Sequence, residues 1–288
     1  MSLSNSILSK PVLEDLPYVE AVLNYLTPMA EKPVYYTYEP PPGVPKQNQV
    51  YEKHKLPIRN ARPIIQDLSL DREGFAYASV NSAVRDFYDD DEVRHIYYRE
   101  AEELLTDVTG AKKVLVFDHN LRNIERAKQG ENGVEEPIKQ VHTDFTAKSG
   151  YSRARAVLTA LGTDDPDELL RHRFSIVNVW RPIALTVQES PLAVCDAQSI
   201  APKDLVVADL VYRDRVGETY EITYNPAHRW FYFPQLQPNE ALFIKCFDSA
   251  EDGRARFAAH TAFDDPTSPP DAPPRESIEL RALVFYGN

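Results

Sequence analysis

The sequence predicts a mainly β fold with flanking helices, built on a double-stranded β-helix, a jelly-roll core of the cupin type. Three observations predict it. From Phe174 to Tyr286, strand-like runs follow one another at short intervals with turn residues between them, which is the rhythm of a sandwich or barrel. The clearest helical periodicity stands before that half, placed to buttress it. A polar pair, His142-x-Asp144, marks the threshold of the strand-rich half, where a jelly roll would place its first inward polar groups.

The elements follow in order. Residues 1–60 are rich in proline and tyrosine, and Tyr35–Gly43 reads as a short strand and a turn. Such an arm is expected to lie across the body of a domain rather than form its own core. Asp67–Tyr88 reads as irregular to helical. The acidic run Asp89–Glu92 opens a helix, because negative charge is favoured at a helix N-terminus. Val93, Ile96, Tyr97, Ala101, Leu104, Leu105 and Val108 then recur at helical spacing until Gly110. That run is therefore a solvated helix start and not a metal site.

Lys113–Asp118 reads as a strand, and Asn123–Lys139 as a polar, mobile connection. Val141–Phe145 is the strand that carries His142 and Asp144. Tyr151–Leu161 is a helix, and Asp165 caps a second one with Pro166 in its first turn. Strands follow at Phe174–Trp180, Leu192–Cys195, Leu205–Tyr212, Glu218–Asn225, Trp230–Phe233, Ala241–Phe247, Arg256–Phe263 and Ser277–Tyr286. The expected organisation is one domain over residues 1–288. Residues 1–80 form an arm and cover, 81–140 a helical buttress and first strand, and 141–288 the core.

Composition narrows the function. The chain is 288 residues long, with 43% apolar and 26% charged residues, as in an ordinary soluble globular protein. Its net charge of −12 disfavours nucleic acid and anionic membranes as partners and says little about a substrate in a pocket, where a small molecule is expected. Cys195 and Cys246 each sit in an apolar run with no CxxC pairing. They read as buried thiols of a reducing compartment rather than a disulfide. Met1–Ser6 lacks a basic region followed by an apolar run, and no stretch approaches membrane-spanning length, so a cytoplasmic location is expected. Phosphate loops, dinucleotide fingerprints, cysteine zinc sites and a nucleophile elbow are not found. A homo-oligomer, with the arm reaching a neighbour, is compatible with the sequence, which leaves the oligomeric state open.

The chemistry-bearing constellation is His142, Asp144 and His260, with Arg275 and Ser277 downstream. Strand side chains repeat every two residues, so His142 and Asp144 share a face. A distant second histidine completes a facial triad suited to Fe(II), with positions left open for a co-substrate and dioxygen. Arginine holds the far carboxylate of a keto-acid such as 2-oxoglutarate by a two-pronged ion pair, and the Ser277 hydroxyl adds a hydrogen bond. Arg275, Ser277, Glu279 and Arg281 share one face of the last strand, and a buried arginine must be paired. The sequence leans to Arg275 as the anchor and leaves Arg281 open. His228 is the rival third ligand, and His119 a structural residue near the pocket. Asn178, Arg181 and Lys245 are candidate substrate contacts. Asn178 and Arg181 stand at a strand end, and Lys245 interrupts an apolar strand.

Several segments, taken in order, resemble a known family. They include Tyr97–Glu100, Val141–Asp144, Asn178–Pro182, Asn225–Pro234, Lys245–Ser249, His260–Pro266 and Pro274–Arg281. Together, over about residues 80–286, they resemble the fungal hydroxylase/desaturase family typified by AsaB, which includes gibberellin desaturase-like and CmcJ-like proteins. The resemblance implies a non-haem Fe(II), 2-oxoglutarate-dependent oxygenase of secondary metabolism, with iron on His142, Asp144 and His260. It implies hydrogen abstraction from a small molecule, ending in hydroxylation, desaturation or cyclisation. Two other classes stay open: a metal-dependent isomerase or hydrolase that needs no 2-oxoglutarate, and a non-catalytic partner protein of the same fold.

Overall fold

The computed structural model describes residues 13–287; the expectation drawn from Met1–Ser6 lies outside the described residues. In the first half, the strands are β1 (Tyr18–Leu26), β2 (Val34–Tyr36), β3 (Tyr51–Asn60), β4 (Phe75–Ser79), β5 (Lys113–Arg122), β6 (Val134–Glu135) and β7 (His142–Thr143). In the second half they are β8 (Phe174–Pro182), β9 (Leu192–Cys195), β10 (Leu205–Val211), β11 (Val216–Ile222), β12 (Trp230–Tyr232), β13 (Glu240–Asp248), β14 (His260–Ala262) and β15 (Ser277–Phe285).

They form two curled, mixed sheets in a jelly-roll arrangement. One runs β1-β3-β12-β9-β14-β7-β11-β10-β2 and the other β4-β13-β8-β15-β5-β6. Between them lies an apolar layer that includes Val194 and Phe231 from the first sheet and Phe174, Ile176, Trp180 and Ile244 from the second. Every residue of β8 and β13 is buried. These strands are covered on both faces, which is why they read as continuous apolar runs rather than alternations.

The cover on the outer face is the predicted helix. The Asp89 carboxylate accepts hydrogen bonds from Asp91 and Glu92 N–H groups, satisfying two of the unpaired donors of a helix start. After a wider π-turn at Val93–Tyr97, the helix Tyr98–Thr109 ends where Gly110 adopts φ 66°, with its N–H bonded to Thr106 O. Val93, Tyr97, Ala101 and Leu105 pack on Val114, Val177, Val179, Ile278 and Leu280 of the second sheet.

Four expectations need correction. The N-terminal arm is not laid across the surface. It contributes β1, β2 and β3 to the nine-stranded sheet, and Leu23, Tyr25 and Ile58 enter a third apolar cluster with Cys195, Trp230 and Phe263. Asp67–Tyr88 contains β4, which pairs antiparallel with β13. The Asn123–Lys139 connection contains a capped helical turn, Ile124–Lys128, and β6, which pairs parallel with β5. The strand expected at Arg256–Phe263 is regular only at His260–Ala262. At β1 to β4 and β6, tertiary pairing overrode a weak or ambiguous local pattern.

Candidate metal centre

β14 lies beside β7, and His260 is the direct antiparallel partner of His142. Directly opposed residues project from the same face. The two imidazoles therefore meet, with ring centroids 4.6 Å apart and planes inclined by 56°. Asp144 lies two residues beyond His142. Its Oδ1 is 3.7 Å from His142 Nε2 and 3.6 Å from His260 Nε2. One donor atom from each residue falls within 4.8 Å of the others. Donors bound at about 2.1 Å to one ion stand about 3–4 Å apart, so the spacing fits a single metal.

The neighbours fix the orientation of each donor. His142 Nδ1 is 2.8 Å from Gln140 O, and His260 Nδ1 is 3.2 Å from Ala258 O. A backbone carbonyl only accepts, so each Nδ1 carries the proton and each Nε2 lone pair is left for a ligand bond. Asn178 Nδ2 donates to Asp144 Oδ2 at 2.6 Å, and Cys246 Sγ donates to the same oxygen at 3.7 Å. Burial, reinforced by the positive charge of His260, pushes His142 down to about 4. Burial alone would raise Asp144, but the neighbouring His260 and His142 imidazoles and the Arg281 charge hold it far below the usual carboxylate range. Burial likewise opposes charge on His260, and Asp144 outweighs it and raises its pKa. Two imidazoles and one carboxylate with open positions beside them are a donor set for a divalent transition metal such as Fe(II).

The wall facing the centre comes from β15 and its neighbours. Arg275 is buried, donates from Nη1 to Ser190 O at 2.6 Å and lies 5.3 Å from the Trp180 ring. Its Nε and the Ser277 hydroxyl are buried without a hydrogen-bond partner among the described residues. Burial, then the charge of Arg122, push Arg275 down to about 9. Arg281 is different. Its Nε donates to Asp118 Oδ1 at 2.6 Å, and Asp118 Oδ2 accepts from Arg153 Nη2 at 2.7 Å.

Two expected substrate contacts do not hold. Arg181 does not stand at the mouth. It is buried on the opposite face of β8, donates to Pro238 O, and lies 5.3 Å and 5.4 Å from the Phe87 and Tyr97 rings beneath the helix. Strand alternation puts it there: Asn178 and Trp180 face inward, so Arg181 faces out. Lys245 is fully buried, but it pairs with Asp71 at 2.5 Å and Asp248 at 2.8 Å, which accounts for a cation in an apolar strand. Asn178 does face the centre, where its amide grips the metal-ligand candidate Asp144.

His228 is held between Asp204, at 3.2 Å, and the Tyr25 hydroxyl, at 3.1 Å, and His119 bonds the Tyr98 hydroxyl at 2.9 Å. Both are structural. A surface groove of about 450 Å³ beside Arg62 and Glu240 contains none of the triad. The residues not anticipated are on β5. That strand runs on past Asp118, and its pairing sets Asp118 opposite Arg281, Asn120 opposite Glu279 and Arg122 opposite Ser277. The i, i+2, i+4 polar alternation was present in the sequence, beyond the expected strand end.

Comparison with known proteins gives the family. The family described as "Oxidoreductase/YMDC permease-like domain" matches residues 23–285. The hydroxylase/desaturase efuI of Hormonema carpetanum is 31% identical over 292 residues, covering 94% of this chain and 96% of the relative. The chain belongs to the fungal hydroxylase/desaturase family. Another relative is the Fe(II)/2-oxoglutarate-dependent dioxygenase nvfI of Aspergillus novofumigatus, 32% identical over 94% of this chain and 98% of its own length. The solved structure of the iron and alpha-ketoglutarate-dependent endoperoxidase NvfI superposes with a TM-score of 0.83 at 29% identity, covering 94% of this chain and 99% of that one. As for the permease-like part of the family description, no helix among the described residues is long and apolar enough to cross a membrane.

Proposed function

We propose that this member of the hydroxylase/desaturase family is an Fe(II)/2-oxoglutarate-dependent oxygenase that acts on a small molecule of fungal secondary metabolism. The observation that carries the reading is the register of His142 against His260. It brings two Nε2 atoms and the Asp144 carboxylate to one point, on a wall where Arg275 Nε and Ser277 Oγ have no protein partner.

In this reading His142, Asp144 and His260 hold iron, with the Gln140 and Ala258 carbonyls and the Asn178 amide fixing the donors. Iron, 2-oxoglutarate and dioxygen together supply the oxidising power that removes a hydrogen from the substrate. The chain supplies position. Arg275 and Ser277 receive the far carboxylate of 2-oxoglutarate, which satisfies two buried donors that would otherwise cost about 1–3 kcal/mol each. Arg281 already has a carboxylate in Asp118, so the anchor is Arg275. Trp180 and the apolar layer behind it keep bulk water away. Relatives carry the names hydroxylase/desaturase, dioxygenase and endoperoxidase. One hydrogen removal can lead to any of these outcomes, and the substrate's shape decides among them. The chain acts as a single domain in this reading, since both sheets contribute to the centre.

The test is an anaerobic titration of the metal-free protein with Fe(II) and then 2-oxoglutarate, following the weak visible metal-to-ligand charge-transfer band. The band is expected to appear with 2-oxoglutarate, vanish in His142→Ala and Arg275→Ala, and survive in Arg281→Ala. Folded, iron-loaded protein without the band would leave a metal enzyme that needs no 2-oxoglutarate, or a non-catalytic partner protein of the same fold.

A further inference from the structure

The wall that carries Arg275 and Ser277 holds a second basic residue with no role so far. β5 pairs antiparallel with β15, and Arg122 is the direct partner of Ser277. Opposed residues put their side chains on one face, with Cβ atoms about 5 Å apart. Arg122 therefore stands beside the partnerless Ser277 hydroxyl, and Arg275, two residues before Ser277, follows on the same side of the chain. Only one end of Arg122 is engaged. Its Nη1 donates to Glu136 O at 2.7 Å and lies 3.0 Å from Glu135 Oε2. The Arg122 side chain is 12% exposed, whereas Glu135 is 60% exposed, so this ion pair is of the weak surface kind. Among the described residues no acceptor engages its Nε or Nη2.

The two arginines share an electrostatic environment. Arg122 acts against the protonation of Arg275, and its charge is also felt by His142 and Glu279. Two neighbouring buried cations repel each other, and a carboxylate set between them turns that repulsion into attraction. A guanidinium with free N–H groups on one edge can bind such a group in two-pronged fashion.

We propose that Arg122 joins Arg275 and Ser277 as a second cationic contact for the far carboxylate of the co-substrate, and that this pairing makes the site select 2-oxo dicarboxylates over 2-oxo monocarboxylates. The inference rests on the 2-oxoglutarate reading above. Glu135 competes with the ligand for the Arg122 charge, and its place on β6 ties the Asn123–Lys139 connection to Arg122.

The experiment is calorimetric binding to the full chain loaded with Mn(II), with 2-oxoglutarate and 2-oxovalerate as probes. Four proteins are compared: wild type, Arg122→Met, Glu135→Gln and Arg275→Met. The Arg122→Met protein is expected to lose about tenfold or more in affinity for 2-oxoglutarate and to bind 2-oxovalerate as wild type does. Glu135→Gln breaks the same ion pair but is expected to keep or gain affinity, because it frees Arg122. Equal losses in Arg122→Met and Glu135→Gln would overturn the proposal, since Arg122 would then act only through the ion pair. Wild-type affinity in Arg122→Met, with a loss in Arg275→Met, would also overturn it while leaving the 2-oxoglutarate reading intact. If wild type binds neither probe, that reading itself fails. A urea midpoint for each variant excludes unfolding as the cause.

Discussion

The side chains that define the centre are each held by a neighbour of complementary chemistry, and Glu221 is the contrast. It is the register partner of His142 on β11 and is buried. Its Oε1 accepts from Gln49 Nε2 at 3.3 Å, and its Oε2 has no hydrogen-bond partner among the described residues. Burial pushes its carboxyl up to about 7 from an ordinary 4.5. The folded state therefore holds this proton more tightly than the unfolded chain does. Stability from this group is complete below about pH 4.5 and is lost as pH rises through 7, by up to about 3 kcal/mol. Denaturant melts at pH 5 and pH 8 check this. Glu221→Gln is expected to be more stable than wild type at pH 8 and to show no such gain at pH 5. An equal effect at both values would mean that Glu221 is not titrating in this range.

At the scale of the element, the helix Ala147–Ala160 begins immediately after the Asp144 segment. Its start is closed by Thr146 and Ser149, each side chain bonding the other's backbone N–H. Gly150 lets this helix approach β13, since a Cβ there would lie 2.5 Å from the Phe247 ring. An exposed helical glycine changed to alanine gains about 1 kcal/mol. Here overpacking reverses the sign, and Gly150→Ala is expected to lose about 1–3 kcal/mol in urea denaturation. A gain would show that Phe247 moves aside freely. The same scale shows how much was legible. The capped helix from Asp89 and the buried strands β9, β13 and β15 were readable because charge, period and apolar runs agreed. β1 and β3 were not. Val19, Val22 and Leu26 alternate imperfectly with polar residues, and the burial of Leu23, Tyr25 and Ile58 depends on β12 and on cluster partners far along the chain.

Across the whole molecule, the centre is a cross-link. His142 and Asp144 belong to the segment at β7, and His260 to β14, which arrives from the far end of the chain between β9 and β7. A metal bound only by the folded arrangement stabilises by mass action, about 2.7 kcal/mol at one hundred times its Kd. Adding Fe(II) or Mn(II) anaerobically to the metal-free protein is expected to raise Tm by several degrees, in line with about 2–4 °C per kcal/mol for a large domain. A chelator should reverse the shift and Asp144→Ala should abolish it, as scanning calorimetry would show. An unchanged Tm at saturating metal would argue against a metal site formed by these three side chains.

The sequence by itself determined the jelly-roll class and offered the candidates: the His142-x-Asp144 pair, His260 ahead of His228, and the Arg275/Ser277 face. These rest on residue type, two-residue periodicity and turn spacing, which are local. Only the tertiary structure decided which cations were free. Arg281, Lys245 and Arg181 look like pocket residues until Asp118, Asp71 with Asp248, and the Phe87–Tyr97 face are seen to occupy them. Arg122 became visible for the same reason. A charge's availability is set by partners brought from distant segments, and those partners are fixed by strand register.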